Sequence, residues 1–128
     1  MVDNIVAIII LSHMVEYNKD KVLSARLKAV SDTTRRKLLT QLCQNGPERV
    51  TDLAHFYDMS LNAISKHIKV LESSGLVKRN KTGRTHWIEA NLDNIKLIEN
   101  WLSELRSIWD IRLDKLNDVI QTGDYKDE

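Results

Sequence analysis

Cysteine is almost absent from this sequence, because Cys43 is the single one in 128 residues. One thiol cannot close an intrachain disulfide, and it cannot build a metal site from several cysteines. Because disulfides persist in oxidising compartments and thiols in reducing ones, we expect the protein to be cytoplasmic. A lone cysteine is more often a small core residue than a reactive group. We therefore expect Cys43 to be buried, although a redox role for it stays open.

Long hydrophobic runs are also lacking. The one candidate is Ile5–Leu11, which is far shorter than the roughly 20 apolar residues that cross a bilayer as a helix. Asp3 precedes it at a position where a secretory signal would carry Lys or Arg. We therefore expect no export signal and no membrane span. Residues 1–18 are interpreted as an N-terminal extension whose role the sequence leaves open.

Proline occurs once and glycine four times, so the breaks between elements are few. Apolar residues recur at helical spacing in five segments. The first is Lys21–Val30; the second is capped by Asp32 or Thr33 and ends at Gly46-Pro47. The third is Val50–Tyr57, the fourth begins at Leu61 and stops at Gly75, and the fifth runs from Leu92 to Ile120. Between the last two segments the period changes to two. Leu76–Asn80 and Thr85–Ala90 are typical of short strands, and Lys81–Arg84 is typical of a hairpin turn.

This order predicts a mainly α-helical fold with a small β-hairpin. Two short helices joined by a tight turn and followed by a hairpin indicate a winged helix-turn-helix, and the last helix would be a long C-terminal dimerisation helix. We assign residues 19–122 to one DNA-binding and dimerisation domain. Residues 123–128 are predicted to be a polar tail.

Basic charge is gathered in the middle of the chain. Residues 60–88 hold six Lys or Arg and one acid, whereas residues 1–59 hold eight against seven and residues 89–128 hold five against ten. An uneven distribution of this kind indicates a localised anionic partner. Because the basic residues fall on the helix from Leu61 and on the hairpin, the partner that fits best is double-stranded DNA.

The helix from Leu61 is suited to the major groove, where each base pair presents a distinct pattern of donors and acceptors. Ile64, Ile68 and Leu71 would hold its inner face on the domain. The predicted DNA-binding residues lie on the other face and on the hairpin: Ser60, Asn62, Ala63, Ser65, Lys66, His67, Lys69, Lys78, Arg79, Lys81 and Arg84. The alternative is a solvated charged face with a hairpin that only caps the domain. We favour DNA because the charges fall on the two elements that such a fold exposes.

Three segments also resemble the ArsR-type winged-helix repressors of bacteria: "LKAVSDTTRRKLL", "VTDLAHFYDMSLNAISKHIKVLESSGLVKR" and "GRTHWIEA". The resemblance covers roughly residues 21–120. It implies a homodimeric repressor in which the helix from Leu61 contacts operator DNA and the hairpin acts as a wing. It also implies dimerisation through the first and last helices.

The apolar stripe of the last helix is wider than one small domain needs to cover, which indicates a partner surface. A symmetric dimer is the commonest solution, and it would bind a palindromic operator. The predicted interface residues lie on the first and last helices: Leu23, Leu27, Leu102, Leu105, Ile108, Trp109 and Leu116. The tryptophans could instead line a ligand pocket between subunits, but core or interface roles are commoner.

Metal ligands are not expected. Many relatives carry a Cys-Val-Cys stretch where this chain has Arg49-Val50-Thr51, and no His follows His86 to supply a site on the last helix. Asp52, His55 and Asp58 share spacing that could place them on one helix face, but a solvated surface is the commoner outcome. The spacing of Trp101 and Trp109, followed by "RLDKL", resembles a metal-independent branch of the family, and we expect no metal and no cofactor.

The sequence predicts a sequence-specific DNA-binding transcriptional regulator, acting as a dimeric repressor. A ligand- or redox-responsive sensor repressor is one alternative, and a winged-helix interaction module that does not bind DNA is another. An enzyme is not expected, because the chain has neither a phosphate-binding glycine loop nor a supported Ser/His/Asp grouping.

Overall fold

The structure is a computed structural model that describes residues 2–122. The predicted polar tail, residues 123–128, lies outside the described residues. Contacts divide the chain into two units, of which one ends at Ile95 and the other begins at Lys96. The first unit holds all the strands, and the second holds one long helix.

The described elements follow one another in this order: α1 (Val2–Ala29), α2 (Thr33–Asn45), β1 (Glu48–Arg49), α3 (Val50–Phe56), α4 (Leu61–Ser73), β2 (Val77–Thr82), β3 (Thr85–Ala90), a 3₁₀ turn (Leu92–Ile95) and α5 (Lys96–Thr122). The prediction of a mainly helical fold with a small sheet and a long C-terminal helix is confirmed. Helices α3 and α4 with the β2–β3 hairpin form the winged helix-turn-helix.

Polar side chains fix the starts of two helices. Asp32 accepts a hydrogen bond from the backbone N–H of Arg35 at 3.0 Å and caps α2, and Gly46 ends that helix with a positive φ of 79°. Ser60 accepts from the backbone N–H of Ala63 at 3.1 Å and caps α4. In both cases the side chain satisfies a backbone donor that the first helical turn leaves free. The predicted start of α2 is therefore confirmed in its details.

The sheet has three antiparallel strands in the order β1-β3-β2. Strand β1 was not predicted, because two residues are too few to show an alternating pattern. Its Arg49 lies opposite Trp87 of β3. The turn of the hairpin is also tighter than predicted: Lys81 pairs with His86 inside the ladder, so only Gly83 and Arg84 form the turn.

Apolar residues from four helices and the sheet make one core in the first unit. The side chains that are almost fully buried in it are Leu38, Leu42, Leu53, Ile64, Ile68, Leu71, Leu76 and Ile88. The predicted inner face of α4 is therefore confirmed, because all three of its residues are in this set. Burial of each such side chain contributes on the order of 1.5–3 kcal/mol.

Arg26 of α1 ties the end of α4 to the 3₁₀ turn. Its Nε donates to the carbonyl of Ser74 at 3.0 Å, and its Nη1 donates to the carbonyl of Asn94 at 3.0 Å. The Asn94 side chain in turn donates to the carbonyl of Gly75 at 2.7 Å. Gly75 has a φ of +82°, and this left-handed conformation ends α4 before the wing begins. These bonds fix the direction in which the chain leaves α4.

Helix α1 begins at Val2, far earlier than the predicted start at Lys21. Its first half is apolar on all sides, and such a sequence has no stripe from which a helix could be predicted. The helix runs through residue 18 without a break, and the boundary proposed there stays a prediction.

The expected burial of Cys43 is wrong, because this residue is exposed. The buried positions of α2 are Leu38 and Leu42, which lie about one turn apart on the same face. Cys43 follows Leu42 directly and so projects about 100° around the helix from that face.

Helix α5 is the second unit, and its apolar side chains are largely exposed. Trp101 is 37% exposed and Trp109 is 56% exposed, so these tryptophans are not core residues of the single chain. Within residues 2–122, no helix is both long enough and apolar enough to cross a membrane.

Candidate nucleic-acid interface

Helices α3 and α4 are joined by a short turn that leaves α4 at the surface. Asp58 adopts a positive φ of 49° in this turn, and the backbone N–H of Met59 donates to the carbonyl of Ala54 at 3.1 Å. Aspartate tolerates the left-handed region better than most residues, so the turn can form without glycine. We call α4 the recognition helix.

The outer face of the recognition helix carries short polar side chains near its start and cations further along. Asn62, Lys66 and Lys69 are exposed, and Ala63 and Ser65 are partly exposed. All five lie away from the buried inner face of the helix. Their exposure is compatible with the predicted DNA contacts, and the contacts themselves stay a prediction.

Two predicted contact residues on or next to the recognition helix already have partners in the fold. The Ser60 hydroxyl caps the recognition helix. His67 Nδ1 lies 3.8 Å from a carboxylate oxygen of Asp32. The pKa of Asp32 is lowered, first because its carboxylate accepts the Arg35 backbone N–H and then because Arg35 and His67 are close, although some desolvation opposes this. His67 therefore flanks the outer face.

The four wing cations differ in how they are held. Lys78 Nζ lies 2.9 Å from a carboxylate oxygen of Glu89, and the hydrogen bond from Lys78 lowers the pKa of that carboxyl. Arg79 pairs with Glu72 of the recognition helix at 3.2 Å. Lys81 and Arg84 are exposed at the end of the hairpin, and no ion pair holds either within the described part of the chain. These last two are the freest to meet a phosphate.

A cleft of about 300 Å³ separates the recognition helix from the wing. We call it the wing cleft; its lining residues are Arg49, Val50, Thr51, Leu61, Ser65, Arg79, Arg84, Thr85 and His86. Three of them are arginines, and none of these lining residues is acidic. Sequence reasoning missed Arg49, Thr51, Thr85 and His86 as site residues, because only the pairing of β1 with β3 brings them together.

A second basic groove, of about 460 Å³, runs between α1 and the recognition helix. Lys28 of α1 lines it together with Lys66 and Lys69. The positive surface of the recognition helix therefore extends to the end of α1. The spacing of residues along the sequence gives no sign of this, since Lys28 is far from the helix in the chain.

The residues considered for a metal site do not form one in the described part of the chain. Across residues 2–122, no group of three or more His, Cys, Asp or Glu side chains is placed to hold an ion. Asp52 instead pairs with Arg49 at 2.9 Å, and His55 and Asp58 are exposed.

The predicted dimer-interface residues fall into two groups. Leu23 and Leu27 of α1 are partly buried. Those of α5 are between 47% and 64% exposed, and they are Leu102, Leu105, Ile108, Trp109 and Leu116. Apolar side chains are also exposed along residues 5–17 of α1, which lie outside the predicted set of interface residues.

Comparison with known proteins agrees with this architecture. The family described as "Bacterial regulatory protein, arsR family" matches residues 32–79, from the cap of α2 into β2. The HTH-type transcriptional regulator NmtR of Mycobacterium tuberculosis is 40% identical over 63 residues, which are 49% of this chain and 52% of that protein. The chain thus matches about half the length of that relative.

Two further comparisons cover almost the whole of the related protein. The uncharacterized HTH-type transcriptional regulator YuzN of Bacillus subtilis is 34% identical over 92 residues, which are 66% of this chain and 96% of that protein. The crystal structure of an ArsR family transcriptional regulator, RHA00566, is 34% identical with a TM-score of 0.66, and the match covers 71% of this chain and 93% of that one.

Proposed function

Because the chain belongs to the ArsR family of bacterial regulatory proteins, we propose that it is a dimeric transcriptional repressor that binds a palindromic operator in double-stranded DNA. The observation that carries this proposal is the construction of the recognition helix. Ile64, Ile68 and Leu71 bury one face completely, and the opposite face offers hydrogen-bonding groups and lysines beside a basic wing.

The early outer face of the recognition helix supplies base contacts in this proposal. The Asn62 carboxamide can donate to and accept from the major-groove edge of adenine, and the Ser65 hydroxyl can bond to several bases. Lys66 and Lys69, one turn further along, meet phosphates or guanine. Ser60, Ala63 and His67 border the same surface, where Ser60 and His67 keep their bonds within the fold.

The wing supplies affinity that does not depend on sequence. Lys81 and Arg84 can reach phosphates or enter the minor groove beside them, and phosphate contacts of this kind fix the register of a protein on the duplex. Lys78 and Arg79 are paired with carboxylates of the same unit, so they orient the wing and add less free positive charge.

Dimerisation follows from the apolar side chains that the single chain leaves exposed. A monomeric soluble protein rarely exposes a contiguous apolar surface of this kind, and a second copy is the commonest cover for it. Leu23 and Leu27 of α1, with the exposed apolar residues of α5, are proposed to form the interface. Two copies would present two recognition helices to two half-sites about one helical turn apart. A cytoplasmic location follows from the need to reach the operator.

Selection of bound duplexes from a random pool, followed by footprinting of the selected sequence, tests this function. The expected result is one enriched palindrome whose protected half-sites are centred about 10 base pairs apart. A pool that shows no enrichment, while the protein remains folded, would contradict sequence-specific binding.

A further inference from the structure

We propose that the wing cleft is a phosphate site that holds one phosphodiester group of the bound DNA strand. This inference rests on the proposed function and adds Arg49, Thr51 and His86 to its contacts. None of the three lies on the outer face of the recognition helix or at the tip of the wing.

The charge of the wing cleft matches a singly charged anion. Arg49, Arg79 and Arg84 line it, and two carboxylates pair with them: Asp52 with Arg49 and Glu72 with Arg79. The three arginines and the two carboxylates together carry one net positive charge. A phosphodiester carries one negative charge, so the pair is balanced.

Hydrogen bonds to neighbouring side chains orient two of the arginines that line the cleft before any ligand arrives. Arg49 donates to Asp52 through Nε at 2.9 Å and through Nη2 at 3.3 Å. Arg79 donates through Nε to Glu72 at 3.2 Å, and its Nη1 lies 3.3 Å from His86 Nδ1. Each guanidinium has five N–H donors, so donors remain for an anion. Side chains that are already oriented lose less entropy on binding.

The contact between Arg79 and His86 determines which nitrogen of the neutral His86 ring carries the proton. A guanidinium cannot accept a hydrogen bond, so the contact with Arg79 requires a lone pair on His86 Nδ1. The ring proton then lies on Nε2. Thr51 and Thr85 also line the cleft, and their hydroxyls can add neutral donors.

The sheet register explains why Arg49 belongs to this group. Arg49 lies opposite Trp87, so Thr85, two residues earlier on β3, is its diagonal neighbour on the same face of the sheet, and Thr51 follows two residues after Arg49 at the start of α3. Leu61 and Val50 add apolar surface to the cleft wall. Such surface suits the deoxyribose groups on either side of a backbone phosphate and would be of no use to an isolated inorganic anion.

The test compares Arg49→Gln and the double variant Arg49→Gln/Asp52→Asn with wild type in titrations against a random duplex at several salt concentrations. Loss of one phosphate contact should lower the slope of log K against log salt by about 0.9, and should weaken binding about eightfold at 0.1 M salt. The double variant has the same formal net charge as wild type. If Arg49 contacts the phosphate directly, the double variant should therefore lose as much slope and affinity as Arg49→Gln does.

Lys37→Gln is the matched control, since it removes an exposed cation from α2 outside the wing cleft. It should leave the slope unchanged. If Arg49→Gln keeps the wild-type slope, or if the double variant recovers it, the phosphate site is wrong. Wild type that binds no duplex at all would instead overturn the proposed function, so the two failures are distinguishable.

Inorganic phosphate, titrated into the wild-type protein against chloride at equal ionic strength, separates the two sources of the anion. The imidazole NMR signals report on it, with His13, His55 and His67 as internal controls for His86. A shift confined to His86, together with the slope change in Arg49→Gln, supports the proposal. The same shift with an unchanged slope would mean that the cleft binds a free phosphoanion, and the assignment to DNA would then be overturned.

Discussion

Arg79 of the wing donates through Nε to the carboxylate of Glu72 on the recognition helix, over a distance of 3.2 Å. The two residues lie on either side of Gly75, where the chain turns from the helix into strand β2. The ion pair therefore spans the junction between the two elements that are proposed to contact DNA, and it restrains the angle between them.

Glu72→Gln is expected to lower the free energy of unfolding by less than about 1 kcal/mol. The Arg79 and Glu72 side chains are 29% and 37% exposed, and ion pairs that water reaches contribute little. Urea unfolding of the variant and of wild type measures the difference. A loss of several kcal/mol would mean that the pair behaves as a buried one, contrary to its exposure.

Gly75→Ala is expected to destabilise the protein by about 2–3 kcal/mol, because left-handed strain adds to the loss of a hydrogen bond. Gly75 has a φ of +82°, and an added Cβ would lie 2.8 Å from Asn94 Nδ2, which donates to the Gly75 carbonyl. Gly83→Ala is the matched control. It has a similar φ of +62° but open space around the Cβ, so it should cost only about 1 kcal/mol. Equal losses for the two variants in urea unfolding would contradict the role given to Asn94.

Asp32 is expected to make stability depend on pH. Its folded-state pKa is lowered from 3.8, chiefly by the hydrogen bond from the Arg35 backbone N–H. A depressed pKa means that the carboxylate contributes stability above the unfolded-state value, and that this contribution is lost as the pH falls through the folded-state value. Asp32→Asn keeps a capping oxygen without a titrating charge.

The measurement for Asp32 is urea unfolding of wild type and Asp32→Asn at neutral pH and at several values below 3.8. The advantage of wild type should be largest at neutral pH and should shrink as the pH falls. Asp20→Asn, which changes an exposed aspartate of α1, serves as the control and should not reproduce this trend. A constant difference between wild type and Asp32→Asn at all pH values would contradict the assignment.

Leu105→Glu with Trp109→Glu is expected to dissociate the dimer, because these side chains are 47% and 56% exposed in the single chain and would carry charge into the interface. Sedimentation at low micromolar concentration should show two chains for wild type and one for the double variant. Ser107→Glu adds charge on the opposite side of the same helix and should remain dimeric. Operator affinity should fall with dissociation, and a wild-type monomer in this experiment would rule the interface out.

The helices of the first unit that pack on one face were predictable from sequence, because burial of one face imposes a period. The recognition helix is the clearest case, since Ile64, Ile68 and Leu71 recur at helical spacing. The first half of α1 was missed because residues 5–11 are apolar around the whole helix and so show no stripe. The burial of Cys43 was predicted wrongly because the prediction used the general tendency of cysteine to be buried. That tendency does not show which side of α2 this position faces.

The candidate site was predictable only where it is local in sequence. The outer face of the recognition helix and the tip of the wing follow from short spacings around Leu61 and Gly83. The wing cleft depends on pairing between distant segments: Arg49 of β1 pairs with Trp87 of β3 and so lines the same cleft as Thr85 and His86, and β1 has only two residues. Long-range pairing of so short a strand has no counterpart in a local pattern. The pairing of Arg79 with Glu72 was missed for a related reason, since it spans two elements of different period.

The central claim is that the recognition helix determines which DNA sequence is bound. Titration of wild type, Asn62→Ala and Ser65→Ala against the selected operator and against a random duplex tests it most directly. Each variant should lose about 1–3 kcal/mol on the operator and little on the random duplex, because base contacts are removed and phosphate contacts remain. Variants that lose affinity equally for both duplexes, or that keep full preference for the operator, would contradict base recognition by this helix.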